Sequence, residues 1–389
     1  MKTLFSFIIA AIVGIMPTFA NDGVYYTSGN QLVPYAETQI QVKKEILTIS
    51  LLDNKIAKVD VYYEFLNPTS SAKTIQMGFE ADPSYNDDYE FYKNGVHKHI
   101  HDFTVEMNGQ KLSYKNAPCL LGNTEVSSRL IDLKNYEYTD YGSLVKKGND
   151  ESIDYAYVYY FNATFQPGIN KVHHTYSYTM SESVGMTYEL AYKLSPAARW
   201  ANRQIDDFTL IIRADNTCKH FSINKASING MTPVVKEGMG KVRAAKGAYS
   251  VSSEKADLWE IAIRNGAVEM HKQNFRPSSE HELSILSAES IYGYNAGRLA
   301  ECYDRCSSVP LFMWAEYGDD EVHSELTADQ AKRIARNAPY ANRGHVFKDP
   351  FLKKYFESLF WYMPDPSYVD NQKDFTTSDK DWLKWQPNH

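Results

Sequence analysis

Ile46-Leu47-Thr48-Ile49-Ser50-Leu51, then Asp53-Asn54, then Val59-Asp60-Val61-Tyr62-Tyr63-Glu64-Phe65 is the stretch that decides the fold class. Apolar and polar side chains alternate with a period of two on either side of a turn-forming pair, and Asn67-Pro68 closes the second run. That pattern predicts two half-buried strands. The signature returns at residues 103–107 before Asn108-Gly109, at 155–165 before Pro167-Gly168, and at 208–213. Asn-Gly pairs at 108–109 and 229–230 signal hairpins or tight turns. Many short strands at regular spacing predict an antiparallel β-sandwich over residues 21–280. Tyrosine supplies 29 of 389 residues, which suits a pleated surface that is wet on one side. Residues 82–95 and 122–152 are polar and aperiodic and read as surface loops.

The pattern changes after Pro277. Residues 283–305 carry Ile285, Leu286, Ile291 and Leu299, interrupted by Gly293 and Gly297. They read as a connecting helix, assigned to 281–310. A small helical module follows at 311–389. Thr327 with Gln330 forms a capping box, and Ala331, Ile334, Ala335 and Ala338 share the face behind it. Pro339 should end or kink that helix. Asp349-Pro350 starts another, with aspartate as cap and proline at the first helical position. Phe351, Leu352, Tyr355, Phe356, Leu359 and Phe360 line one side of it, and Pro364 is expected to stop it. Trp382 and Trp385 predict a tail that docks. The class is α+β: a mostly antiparallel β-sandwich region with a small helical C-terminal module.

The first 20 residues have one positive charge at Lys2, an apolar run from Leu4 to Met16, and Pro17-Thr18-Phe19-Ala20. This is the form of a signal peptide, too short to span a bilayer. Cleavage after Ala20 would leave a chain starting Asn21-Asp22-Gly23, periplasmic or secreted, with no transmembrane segment. The net charge of −7 becomes −8 without Lys2. That acidity argues against nucleic acid as a partner. An exported chain with four cysteines, Cys119, Cys218, Cys302 and Cys306, allows disulfides. Cys302 and Cys306 are the candidate pair, if the helical turn between them unwinds; the other reading is two free thiols.

Ile334-Ala335-Arg336-Asn337, Tyr340-Ala341-Asn342-Arg343-Gly344-His345-Val346-Phe347, Tyr355-Phe356 and Trp361-Tyr362-Met363-Pro364 together resemble the YARHG domain, a small extracytoplasmic module of bacteria. The family's Arg-His pair after Tyr-Ala appears here as Asn342-Arg343 before Gly344, with His345 next in line. The front of the chain is similar to a family of exported, strand-rich bacterial domains with no assigned activity. The residues that carry this are Gly29-Asn30-Gln31-Leu32-Val33, residues 45–50 and 59–67, Trp200, and residues 205–210. Both resemblances imply a bacterial envelope protein, and neither implies a chemistry.

His97, His99 and His101 alternate onto one strand face. Neighbours in that set are within about 7 Å, close enough to share a metal, but the outer two are about 13 Å apart. A site needs a further ligand, for which His173 and His174 are candidates. Ordinary surface histidines are the favoured reading. No Gly-x-Ser-x-Gly, no His-Glu-x-x-His and no glycine-rich phosphate loop occurs. Asp82, Asp87, Asp88 and Glu90 lack the ordered spacing of a calcium loop.

Between residues 326 and 363, seven basic side chains face three acidic ones. A basic module on an acidic carrier suits an anionic envelope polymer or an acidic partner face, or docking on its own β region. Arg343, His345, Trp361 and Tyr362 are the candidate binding residues, with Trp361 and Tyr362 expected to be partly exposed. The expectation is a non-catalytic binding or interaction protein of the bacterial envelope, without cofactor, whose partner is an envelope polymer or another exported protein. The alternative is a metal-binding protein or metal-dependent hydrolase built on the histidine strand.

Overall fold

A computed structural model of the chain describes residues 20–28, 31–34, 39–52, 56–81, 100–121, 129–130, 154–182, 187–249, 255–277, 283–288 and 328–384. Most of them fall in two sheets of six and twelve strands. With strands numbered along the chain, the smaller sheet holds β1 (Ala20–Ser28), β2 (Gln31–Pro34), β5 (Lys73–Ala81), β8 (Lys115–Leu121), β9 (Arg129–Leu130) and β10 (Asp154–Phe165). Their order is β2-β1-β5-β10-β8-β9. The larger sheet takes its first strands from β3 (Gln41–Leu51), β4 (Ile56–Asn67), β6 (Ile100–Met107), β7 (Gln110–Lys111), β11 (Gly168–Thr179) and β12 (Ser181–Glu182). It is completed by β13 (Thr187–Tyr192), β14 (Ile205–Ala214), β15 (Lys219–Asn224), β16 (Val234–Tyr249), β17 (Lys255–Phe275) and β18 (Leu283–Ala288). Pairing is antiparallel except between β3 and β14, which run parallel.

The alternation in the deciding stretch is what the fold uses. Val59, Val61, Tyr63 and Phe65 of β4 point inward, while Asp60, Tyr62 and Glu64 stay on the wet face. β3 pairs with β4 so that Leu47 lies opposite Val61 and Ile49 opposite Val59. Asn108 (φ 51°) and Gly109 (φ 79°) make the two-residue turn between β6 and β7, both in the left-handed region that a type I′ hairpin needs. The sheets meet face to face. Phe79 of β5 packs on Phe103 of β6 with ring centroids 5.2 Å apart, and Phe165 of β10 on Phe65 of β4 at 5.5 Å. Trp200 is fully buried at 4.6 Å from Phe65.

β17 ties the large sheet to a third layer. Its C-terminal half pairs with β14, its N-terminal half with β15, and β16 runs along the other edge. Where β16 and β17 cross, a Cβ on Gly266 would lie 2.0 Å from the Glu237 carbonyl oxygen, and one on Gly238 1.9 Å from that of Asn265. Only glycine permits this approach of two backbones. Ahead of the crossing, β17 is buried on both faces. Ile261 and Ile263 enter the main core, while Ala262 belongs to a second cluster on the opposite side.

That second cluster is the C-terminal module: α1 (Ala328–Asn342), α2 (Pro350–Glu357) and α3 (Thr377–Lys384). Asp349 caps α2 as expected, accepting from the N–H groups of Phe351 and Leu352, with Pro350 at the first position. Trp382 is buried, so the tail docks.

Two expectations are corrected and a third is narrowed. Residues Leu283–Ala288 are strand, not helix: β18 sits between β13 and β15, which supply its hydrogen bonds on both edges. A short apolar run does not declare its period, and pairing decides it. Of the two outcomes expected at Pro339, an end is excluded, since α1 continues to Asn342. The second helix stops at Glu357 rather than Pro364, because Ser358, Leu359 and Tyr362 donate to carbonyls three residues back. The remainder of the expected connecting helix lies outside the described residues, as do the leader at 1–19, the loop at 82–95, His97, His99, Cys302, Cys306, Thr327 and Trp385. Of the loop at 122–152, only Arg129 and Leu130 are described, in β9. Among the described residues, no helix is long and apolar enough to cross a membrane.

Candidate functional site

The YARHG-like residues form the C-terminal cap of α1. The N–H of Gly344 donates to Ala341 O at 3.0 Å and that of His345 to Tyr340 O at 3.0 Å, with Gly344 left-handed at φ 93°. This is a Schellman motif. Arg343 turns inward. Its Nη1 donates to Pro339 O at 3.0 Å, and its Nη2 reaches Asp379 Oδ2 at 2.8 Å and Asp374 O at 3.2 Å. The guanidinium also covers the Phe375 ring, 4.5 Å from its centroid. His345 is half-buried, with Nδ1 2.9 Å from Asp370 Oδ1.

Trp361 and Tyr362 are not surface rings. They are 2% and 3% exposed, packed against Phe356, with Phe347 stacked on Phe356 at 4.7 Å and 6.1 Å from Tyr362. The module has too few other large side chains to bury, so these fill its core. The basic surplus of residues 326–363 is only partly offset locally. Arg333 pairs with Asp349 at 2.7 Å, and residues 364–389 add five aspartates against three lysines.

The seam between module and sheet is where polar chemistry concentrates. Cys218, just before β15, donates its N–H to Asn342 O at 3.2 Å and to the Asn342 side-chain oxygen, and its Sγ lies 3.4 Å from Trp361 O. Lys241 of β16 donates to Tyr362 O at 2.8 Å. His220 of β15 bonds Glu260 of β17 at 2.9 Å, and Arg243 of β16 pairs with the other carboxylate oxygen. Phe360 closes over this cluster, 4.3 Å from the Arg243 guanidinium and 5.6 Å from the His220 ring. Arg264, buried at the end of the two-faced stretch of β17, faces Asp365 of the module at 3.5 Å.

Burial acts on Cys218, His220 and Glu260. It pushes the Cys218 thiol up to about 12, against the pull of Arg264, Lys219 and Lys241. It lowers His220 below the ordinary imidazole value, outweighing the bond to Glu260. For Glu260 the balance is reversed: burial raises it, but the bonds from His220 and Arg243 bring it below the usual carboxylate value. Both His220 and Glu260 therefore take up protons more readily in the unfolded chain. Their contribution is whole at neutral pH and drains as pH falls, from about 6.5 for the imidazole and about 4.3 for the carboxyl. His220→Gln, which keeps a donor for Glu260, is expected to flatten the fall in thermal midpoint between about pH 7 and pH 5. An unchanged slope would remove His220 from this role.

Of the candidate histidines, His101, His173 and His174 are described, and these three do not gather. His101 bonds Thr179 Oγ1 at 2.9 Å and lies opposite Ser177, whereas His173 lies opposite Glu106 and bonds Asp60 at 3.0 Å. Four residues of strand separate the two, about 13 Å. His174 points the other way, into the core beside Phe79 and Phe103. Among the described residues, no three metal-ligating side chains come together.

Sequence reading missed His220, Glu260, Arg264 and Asp379. Only Asp379 had a local signal: Thr376 and Asp379 have capping-box spacing, and they bond reciprocally at 2.7 and 3.1 Å.

Comparison with known proteins bears on the two ends of the chain. The YARHG domain matches residues 313–385, and a domain of unknown function, DUF4424, matches residues 20–151. No curated protein matches the chain. Among solved structures, a Legionella pneumophila protein provisionally named as nutrient binding is 18% identical, with 95% of this chain and 98% of that one covered and a TM-score of 0.48. An M1 zinc metallopeptidase from Deinococcus radiodurans is 9% identical over 65% of this chain and 43% of its own, with a TM-score of 0.25. An aminopeptidase N family protein from Idiomarina loihiensis is 11% identical over 63% and 29%, also at 0.25. At these values none of the roles named passes to this chain. What the matches do give is a likeness at each end: residues 313–385 match the YARHG domain and residues 20–151 match DUF4424.

Proposed function

We propose that this is an exported, non-catalytic interaction protein of the bacterial envelope, periplasmic or secreted, whose partner is an envelope polymer or another exported protein. The observation that carries the reading is where the perturbed groups lie. Burial moves Tyr192, Cys218 and His220 off their ordinary values, and the bonds from His220 and Arg243 move Glu260, all in the sandwich core or beneath the module. Catalytic groups with shifted values need a substrate beside them; these face packed protein. The leader-like start supports export, as do a YARHG match at one end and a DUF4424 match that begins at residue 20 at the other.

Expression in a bacterial host, followed by fractionation and N-terminal sequencing, tests export; a chain starting at Asn21 outside the cytosol is expected. Incubating the mature protein with purified sacculi, and separately with immobilised envelope proteins, tests binding. Saturable retention on one of the two is expected. An intact Met1 on cytosolic material, or no retention on either, contradicts the reading.

A further inference from the structure

We infer that the C-terminal module carries a seat for an arginine side chain, formed by Gly344 and Asp365, and that Arg264 of β17 occupies it. The ligand class of the module is thus a guanidinium presented from a β-strand. This does not depend on the envelope reading above.

A Cβ on Gly344 would stand 1.9 Å from Nη1 and 2.5 Å from both Cζ and Nη2 of Arg264. The guanidinium therefore lies directly on the bare Cα of the motif glycine. A flexible arginine could swing away from an added methyl in open water, but this one is enclosed at 1% exposure. Its Nη2 is 2.9 Å from Met239 Sδ and 3.5 Å from Asp365 Oδ2. Asp365 is itself positioned: its N–H donates to Gly344 O at 2.8 Å, and its Oδ1 accepts from the Ser367 N–H at 2.9 Å and hydroxyl at 2.6 Å. The loop is braced from both sides, by Lys241 on Tyr362 O and by the Tyr362 hydroxyl on His345 O at 2.6 Å. A flat, weakly hydrated guanidinium suits such a slot; a lysine ammonium would arrive strongly hydrated and without the plane.

Helix capping alone also calls for glycine here, because φ is +93°. The two demands separate chemically. A cap needs tolerance of left-handed backbone, which asparagine has; a seat needs the absence of a Cβ. Gly109 is the internal control, with φ +79° and nothing within 4 Å of an added Cβ.

Urea unfolding of the full chain, followed by circular dichroism, compares Gly344→Asn, Gly109→Asn, Arg264→Ala and the double variant Gly344→Asn/Arg264→Ala. The expected result is a midpoint almost unmoved by Gly109→Asn and lowered several-fold more by Gly344→Asn. The double variant should then unfold no earlier than Arg264→Ala alone, because the emptied seat accepts the new side chain. Equal losses at Gly344 and Gly109, or losses at Gly344 and Arg264 that simply add, overturn the seat. If Arg264→Ala does not fold, the comparison of Gly344→Asn with Gly109→Asn decides the matter by itself.

Discussion

Replacing Asp379 with alanine is expected to destabilise the protein by about 3–5 kcal/mol, the cost of stranding a buried charge. The side chains of Arg343 and Asp379 are 4% and 0% exposed, and the carboxylate is the counter-charge the guanidinium meets in the module. Without it, Arg343 loses that counter-charge while the carbonyls of Pro339 and Asp374 and the face of Phe375 stay beside it. The same substitution removes the bond from the Thr376 N–H that starts α3, and with it the support for Trp382. Asp379→Asn should fall between, since it retains an acceptor but not the charge. Thermal or urea unfolding measures both. A loss below about 1 kcal/mol for the alanine variant is what an exposed ion pair gives, and it would mean that Arg343 is free to meet a ligand.

Trp361→Ala is expected to cost about 3–5 kcal/mol as well, through the cavity left among Phe356, Tyr362 and the sheet side of the module. The ring has two possible uses with opposite signatures. A stacking platform for a sugar would lose binding and keep its stability. A core ring loses stability, and retention on envelope material persists at temperatures where the variant is still folded. Unchanged unfolding with abolished retention would put Trp361 back on a binding surface.

Much of the architecture was legible because it follows from local periodicity. The alternation through Val59 to Phe65 fixes which side chains enter the sandwich, Asn108-Gly109 fixes a hairpin, and Asp349-Pro350 fixes a helix start. What periodicity does not reveal is which layer covers a face. Ile261, Ala262 and Ile263 look alike in sequence, yet Ala262 packs on a module some 80 residues further along while its neighbours enter the sandwich. For the same reason Trp361 and Tyr362 read as partly exposed although the module buries both. Arg264 gave no signal, since its partners Gly344 and Asp365 are brought to it only by the docking of the module. The two chemistries sought from spacing, a histidine strand and an exposed aromatic pair, required knowledge of strand register and of layering that no short window holds.

Cys218 reports most directly on whether the C-terminal module is a fixed layer of this fold. It lies under the module, its thiol against Trp361 O and its N–H on Asn342, with burial holding the thiol at about 12. Iodoacetamide labelling of the native full-length protein, read by peptide mass spectrometry, gives its accessibility. The docked arrangement predicts that Cys218 stays unmodified until the protein unfolds globally, with labelling tracking the unfolding transition. Rapid modification of Cys218 while the sheets remain folded would contradict it, and would mark the module as a freely moving domain.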